Sequence, residues 1–409
     1  MIQISEKNQC CGCAACVQVC PKQCIDFEED KEGFRYPLVN KKICVDCHLC
    51  EKVCPVLNRA DVKDPIEIYA SYNKDENIRL KSSSGGIFTV LAENVIRQGG
   101  VVFGARFDDN WEVYHDYSET FEGLGDFRGS KYVQSRIEKS YQKVKEFLDM
   151  NRKVLFSGTP CQVAGLYRYL GKQYDNLLTV DFICHGVPSP KVWRKYLEGI
   201  TRNVQQSVAG NINSQSHKIM PVIKSINFRD KRSGWKKYSF TVTLAEATDE
   251  GRDNLVSLSY IFPHVPYMNA FISDVTLRPS CYLCPSKRGR SMSDITIADW
   301  WGVIEYFDQG QIDDDKGICI VLLNSDKGLQ FFNQFDVVKK LITWDEATPC
   351  NGGFKEIINV HPKRKFFFRK LDKSRSVFYL IKKTFKPSRF QRLRVFVGKI
   401  KARFCKILN

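Results

Sequence analysis

The sequence predicts a chain of α+β and α/β character in three parts: a small cysteine-rich unit, a mixed α/β body and a basic amphipathic C-terminal helix. Three observations predict it. One cysteine pattern occurs twice within the first 54 residues. From Ile66 onward strand and helix periodicities alternate, the signature of an α/β layer. Near the C-terminal end apolar side chains recur at three- and four-residue steps among cations.

The repeated pattern is C-x2-C-x2-C-x3-C-P, seen as Cys10, Cys13, Cys16, Cys20, Pro21 and again as Cys44, Cys47, Cys50, Cys54, Pro55. In bacterial-type ferredoxins this run holds two 4Fe-4S clusters, the fourth cysteine of each run serving the other cluster. The expected sets are therefore Cys10, Cys13, Cys16 with Cys54, and Cys44, Cys47, Cys50 with Cys20. Zinc would call for paired CxxC or Cys/His spacings. A disulfide framework would call for an oxidising compartment, and no signal peptide is read at the start of the chain. Cys11 and Cys24 fall outside the pattern and read as spare thiols.

Composition narrows the rest. Seventeen cysteines with no secretion signal point to metal sites in a reducing cytoplasm. No apolar run is long enough to span a bilayer. The net charge is +16, yet residues 362–409 hold 17 Lys or Arg against one acid, Asp372, so the remainder is balanced. The basic excess lies outside the motif-bearing body, which argues against a nucleic-acid-binding role.

Residues 1–60 form the ferredoxin-like unit, and Asn58 to Pro65 reads as a polar linker. Ile66 to Tyr72 is a strand. Ser82-Ser83-Ser84-Gly85-Gly86 opens an apolar helix through about Arg97, with Gly99-Gly100 as its stop. Val101 to Phe107 is the next strand, within a first body region, 66–150. A second region, 151–350, repeats one arrangement. Lys153 to Ser157 is a strand followed by Thr159, suited to the N-cap, Pro160 at the first helical position, and a helix through Leu170. Leu177 to Ile183 is another strand, with a helix from about Ser189-Pro190. Cys161 and Cys184 thus lie just past the carboxyl ends of neighbouring strands, the edge where open α/β sheets bind ligands. Residues 204–220 read as a polar surface loop, Lys224–Asp230 and Lys236–Leu244 as a hairpin about Ser233-Gly234, and 313–316 as an exposed turn.

Two further constellations carry chemistry. Cys161, Cys184, Cys281 and Cys284 suit a third 4Fe-4S cluster or a structural zinc, against the plainer reading of buried small side chains. Ser82 to Gly86 at a helix start, and Arg128-Gly129-Ser130-Lys131-Tyr132, offer free amides, hydroxyls, a cation and an aromatic that a flavin dinucleotide would use. An ordinary helix cap and a solvated loop are the competing readings. No catalytic base stands out; His185, beside Cys184, is a candidate proton relay or a supporting partner.

The stretches SSSGGIFTVLAENVI, GSKYVQS, GTPCQVAGL, ICHGVPSP, INFRDKRSGW and CYLCP…SDITIADWWG, in this order, resemble the beta subunit of coenzyme F420-reducing hydrogenases and F420-dependent formate dehydrogenases. The resemblance covers roughly residues 66 to 305 and the N-terminal ferredoxin extension. It implies an FAD site and one 4Fe-4S cluster in the body, with Cys161, Cys184, Cys281 and Cys284 at the matching positions. It makes Ser83, Ser84, Gly85, Gly86, Ser130, Lys131 and Tyr132 flavin contacts. Asp294 and Asp299 occupy the family's acidic strand motif, where Ala298-Asp299 replaces the commoner Gly-Asp.

The expected function is an iron–sulfur flavoprotein oxidoreductase passing electrons between a two-electron organic substrate or F420-like hydride carrier, FAD and the clusters. Its partner is a redox protein or a small-molecule carrier. The alternative is a non-catalytic ferredoxin-type electron-transfer adaptor for a partner enzyme, including one in polysaccharide biosynthesis. Phe390, Leu393, Val397, Ile400, Phe404 and Ile407 among seven cations read as an interfacial helix, which Phe366-Phe367-Phe368 supports. The chain is expected in the cytoplasm, peripheral to the anionic inner face of the cell membrane.

Overall fold

A computed structural model describes residues 1–211, 221–247, 253–302, 313–348, 351, 353 and 358–386. The cysteine-rich unit pairs β1 (Ile25–Glu29) with β2 (Arg35–Val39) and carries two short helices, α1 (Ala15–Val19) and α2 (Leu49–Lys52). Each helix follows a residue in the left-handed region, Ala14 and His48. The two cysteine runs therefore fold as two copies of one turn and helix, with Cys13 and Cys16, or Cys47 and Cys50, on either side of the bend.

The body is built on one mixed sheet of eight strands. In chain order they are β3 (Glu67–Tyr72), β4 (Val101–Phe107), β5 (Val113–Ser118), β6 (Val154–Ser157) and β7 (Leu177–Phe182), then β11 (Ile295–Asp299), β12 (Cys319–Leu323) and β13 (Val338–Leu341). Their spatial order is β13-β3-β12-β11-β7-β6-β4-β5. The four central strands β4, β6, β7 and β11 run parallel, and the flanking pairings are antiparallel. The strand segments expected from the sequence are present with bounds shifted by a residue or so.

Ile87–Arg97 is the helix that the Ser-Gly run opens; it buries Ile87, Leu91, Val95 and Ile96 against the sheet. Between β6 and β7 lies α7 (Pro160–Leu170), where Thr159 and Gln162 close a capping box and Gly171 ends the helix in the left-handed region. Longer than the sequence suggested is α8 (Pro190–Asn211), which continues through the first part of the expected 204–220 loop. Leu197, Ile200 and Val204 repeat at three- and four-residue steps and are buried with Trp193, so packing outweighs the weaker helix preference of Asn203, and Gln205 and Gln206 favour the helix.

The hairpin about Ser233-Gly234 forms from β8 (Val222–Asp230) and β9 (Ser239–Ala247), and a third strand, β10 (Asp253–Ile261), extends it. Hydroxyl pairs Thr241–Ser259 and Thr243–Ser257 zip β9 to β10.

The cysteine-rich unit is not held off by its linker. Cys13, Ala15 and Val53 share a core with Phe103, Tyr141, Phe156 and Leu166 of the body. Gln18 Oε1 accepts the backbone N–H groups of Tyr141 and Gln142. Gly165 of α7 is needed for this approach: a Cβ there would lie 2.9 Å from Cys13 Cβ and 2.9 Å from the Tyr141 hydroxyl. The Phe366–Phe368 run does not face a membrane. The helices Arg364–Leu371 and Val377–Phe385 fold onto the body, with Phe367 and Phe368 buried, and Arg364 grips Glu32 of the N-terminal unit. Apolar periodicity amid cations suggests an interfacial face, but here the core supplies the apolar partner. The stretch 389–408 lies outside the described residues.

Candidate functional site

The expected crossed sets are brought together. Cys10, Cys13, Cys16 and Cys54 line one cavity, joined by Cys11. Cys20, Cys44, Cys47 and Cys50 line a second, joined by Cys24. Backbone N–H groups point at sulfur in the second set, from Ile2 to Cys50 at 3.3 Å and from Asp46 to Cys44 at 3.4 Å. The two cavities differ in depth. All four thiols of the first set are buried, whereas Cys47 is exposed and Cys20 and Cys44 half-buried. None of the described cysteines is in a disulfide.

Cys161 enters at the start of α7, Cys184 just past β7, and Cys281 and Cys284 from the turn after Arg278. The four converge. Burial pushes the Cys184 thiol well up, and Cys281, Cys161 and Cys284 push it further. Cys281 is pushed up to about 12 by burial and by Cys284, and Cys284 to about 11 by burial and by Cys161. Thiols held this high bind iron only by surrendering protons to it. Lys287 supplies the fit test: its Nζ is buried with no hydrogen-bond partner among the described residues, and its charge acts on Cys184 and Cys284. A dry, unpaired cation beside four thiols suits an anionic iron–sulfur cluster.

Sequence reasoning treats Cys11 as a spare thiol. Its side chain instead touches Cys161, and that contact is the largest cause of the raised Cys161 thiol, ahead of burial. Cys11 also meets Cys13, so it stands between the first N-terminal set and the body set. A cysteine next to a ligand position, outside the pattern, is the only signal the sequence offers. His185 lies with Nε2 2.7 Å from Asp274 Oδ1 and its ring edge-on to Phe271, fixed beside Cys184.

The segments read for flavin also meet. The Ser130 N–H donates to Ser83 Oγ at 2.7 Å. Arg229, at the end of β8, donates to the Tyr132 hydroxyl and the Ser83 carbonyl and pairs through both arms with Asp299. Lys231 Nζ donates to the carbonyls of Arg79, Ser84 and Lys316, using all three of its hydrogens. Neither cation stands out from the sequence, although both sit in the INFRDK stretch, charges interrupting an apolar strand.

The Arg128–Tyr132 segment is half-buried, not a solvated loop. Lys131 Nζ donates to the carbonyls of Arg128 and Gly129. Burial lowers its amine to about 7, with Asp126 opposing and Arg106 assisting. The expected exposed turn at 313–316 is likewise a working part: Asp314 pairs with Arg79, Asp313 with Lys236, and Asp315 accepts the Lys236 N–H. Half-buried Lys131, with no carboxylate bonded to it among the described residues, and the buried, unpartnered Arg229 Nε fit an anionic group such as a dinucleotide. The Ser-Gly run has internal duties too. A Cβ on Gly85 would come 2.7 Å from the Ser71 carbonyl oxygen, and Ser84 Oγ donates to the Ile318 carbonyl.

Thiol sets of ferredoxin type, docked against the ligand-binding edge of an α/β sheet, define an iron–sulfur electron-transfer protein. Comparison with known proteins narrows this. Residues 9–58 match the 4Fe-4S dicluster domain, and residues 151–348 match the C-terminal family of the coenzyme F420 hydrogenase/dehydrogenase beta subunit. Residues 151–348 thus carry the C-terminal region of that beta-subunit family, behind a dicluster domain over residues 9–58.

An uncharacterized protein of Methanocaldococcus jannaschii is 25% identical over 207 residues, 43% of this chain and 56% of that protein. The F component of the F(420)H(2) dehydrogenase of Methanosarcina mazei is 22% identical over 39% of this chain and 48% of that protein. The chain thus spans about half the length of these relatives. A ferredoxin of Mycolicibacterium smegmatis is 39% identical over 17% of this chain and 65% of that protein. Among solved structures, one polypeptide of the F420-reducing NiFe hydrogenase complex from Methanosarcina barkeri is 18% identical, with TM-score 0.44, covering 77% of this chain and 95% of that one.

Proposed function

We propose that this chain is an iron–sulfur flavoprotein oxidoreductase that passes electrons between a two-electron organic substrate or F420-like hydride carrier, FAD and three 4Fe-4S clusters. The observation that carries the reading is the packing between thiol sets: Cys11 lies in one packed cluster with Cys13 and Cys161. When bound, a flavin exchanges a hydride or electron pair and releases single electrons, which clusters carry one at a time.

The remaining work belongs to the chain's own residues. Ser83, Ser84, Gly85, Gly86, Ser130, Lys131 and Tyr132 would hold the FAD, with Lys131 as its counter-charge. Cys161, Cys184, Cys281 and Cys284 would hold the body cluster, and Lys287 would offset its charge. The exposed Cys47 marks the face through which a redox partner protein exchanges electrons. F420 stands in the name of the matched family and of the Methanosarcina mazei relative, and the substrate proposed for this chain is an organic two-electron donor or acceptor of that kind.

The test is anaerobic reconstitution. About twelve irons and one FAD, with substrate-dependent bleaching, are expected. About eight irons and no flavin would overturn the reading in favour of an electron-transfer adaptor. The internal duties of Ser84 and Gly85 are the observation on the adaptor's side. No helix among the described residues is long and apolar enough to cross a membrane. Attachment through residues 389–409 to an anionic surface is a separate proposal, and it fails if their deletion leaves co-flotation with anionic liposomes unchanged.

A further inference from the structure

Arg278 is a deeply buried cation at the junction of the N-terminal unit and the body, 1% exposed. Its Nε donates to the Cys10 carbonyl at 2.8 Å, and Nη2 reaches Cys10 Sγ at 3.5 Å and the Arg35 carbonyl at 2.9 Å. Nη1 donates to Gln134 Oε1 at 3.0 Å, and Gln134 in turn holds the Cys11 carbonyl. The guanidinium lies over the rings of Tyr36 and Phe34. Every one of these partners is neutral apart from the sulfur, so no carboxylate among them quenches the charge.

The same residue begins the turn that presents the body set. The Cys281 N–H donates to the Arg278 carbonyl at 2.9 Å, and the Arg278 N–H to that of Val187, the residue whose own N–H donates to Cys281 Sγ. The charge of Arg278 acts on Cys161 and Cys281 of the body set and on Cys10 of the N-terminal set. A buried arginine is costly unless something negative offsets it. Here the anions at hand are the two cluster sites on either side.

We infer that Arg278 is a shared positioning cation between the Cys10, Cys13, Cys16, Cys54 site and the Cys161, Cys184, Cys281, Cys284 site, raising the reduction potential of both clusters together. The inference rests on the reading of a body cluster given above. A fixed positive charge in a dry site stabilises the more negative, reduced state of each neighbour. One guanidinium facing both clusters therefore shifts both potentials in the same direction and leaves the step between them little changed.

The test uses the full chain, reconstituted anaerobically, with iron counted before potentials are read by spectroelectrochemical titration followed by electron paramagnetic resonance. Arg278→Gln is expected to lower both potentials by about tenfold in each reduction equilibrium, about 59 mV for a one-electron couple. The cluster carried by Cys20, Cys44, Cys47 and Cys50 should stay at its wild-type value. Arg278→Lys keeps the charge and should restore most of the shift.

If Arg278→Gln does not load its clusters, Gln134→Glu answers the same question. It places a carboxylate on Nη1, offsets the charge without emptying the site, and should move both potentials in the same downward direction. Movement of only one potential, or of neither, in variants that hold the wild-type iron count overturns the shared-cation inference. A wild-type count of about eight irons would instead mean that the body-cluster reading itself has failed.

Discussion

At the scale of single residues, two positions carry tests that separate packing from chemistry. Gly165 lets α7 approach Cys13 closely. Gly165→Ala must push either Cys13 or the Tyr141 hydroxyl aside, an overpacking cost of about 1–3 kcal/mol. Calorimetry should show the lowered melting temperature, and the iron set bearing Cys13 should be lost to a chelator faster than in the wild-type chain. Lys131 carries the other. Burial is the first cause that lowers its amine to about 7 in the folded chain, against an ordinary lysine value when unfolded. Between those values the unfolded chain binds the extra proton, so stability rises with pH from about 7 toward about 10. Lys131→Met removes that contribution, and its stability should climb less steeply over this window in chemical-denaturation curves taken at successive pH values. An equal slope in both proteins would show that Lys131 is already charged or already solvated.

At the scale of elements, the end of β8 acts as a clamp. Arg229 and Lys231 reach from it across the Ser-Gly run, Tyr132 and the 313–316 turn, joining segments far apart in sequence. Lys231→Met leaves three carbonyls short of a donor and should cost about 1–3 kcal/mol. On the proposed function it should also lower flavin retention while the iron count holds, which absorbance and iron assay read from one sample. This clamp illustrates what the sequence makes legible and what it does not. Helix caps and stops such as Thr159, Pro160 and Gly171 are local chemistry and can be read directly. The cysteine pairing is legible because a fixed spacing wraps a fixed cluster. Arg229 to Asp299, Lys231 to the Arg79 carbonyl, Cys11 to Cys161 and Arg278 to Cys10 depend on which distant segments meet, and no periodicity encodes that. The end of α8 and the Phe366–Phe368 run mislead for a related reason: an apolar side chain shows that it will be covered, but not by what.

At the scale of the whole molecule, the N-terminal unit is graded from inside to outside. Its inner thiols Cys10, Cys13, Cys16 and Cys54 are buried against the body, near Cys11, Cys161 and Arg278. Its outer set has Cys47 exposed, and exposed Ile43 and Val45 beside it. Salt bridges among the Met1 amine, Asp46, His48 and Glu51 surround this outer set, and such surface pairs are weak barriers. Solvent access, more than ligand identity, then distinguishes the two dicluster sites. On exposure to air or a chelator, iron should leave in phases, about four per chain early from the outer site and the remainder much later. Cys47→Ser should accelerate the early phase alone, because its effect is confined to the exposed rim. Loss in a single phase would mean that the inner sites open as readily as the outer one, contrary to a unit packed into the core of the body. On the proposed function the exposed outer site is therefore the one a redox partner can approach, and the buried inner site, packed into the core of the body, is the one next to Cys161.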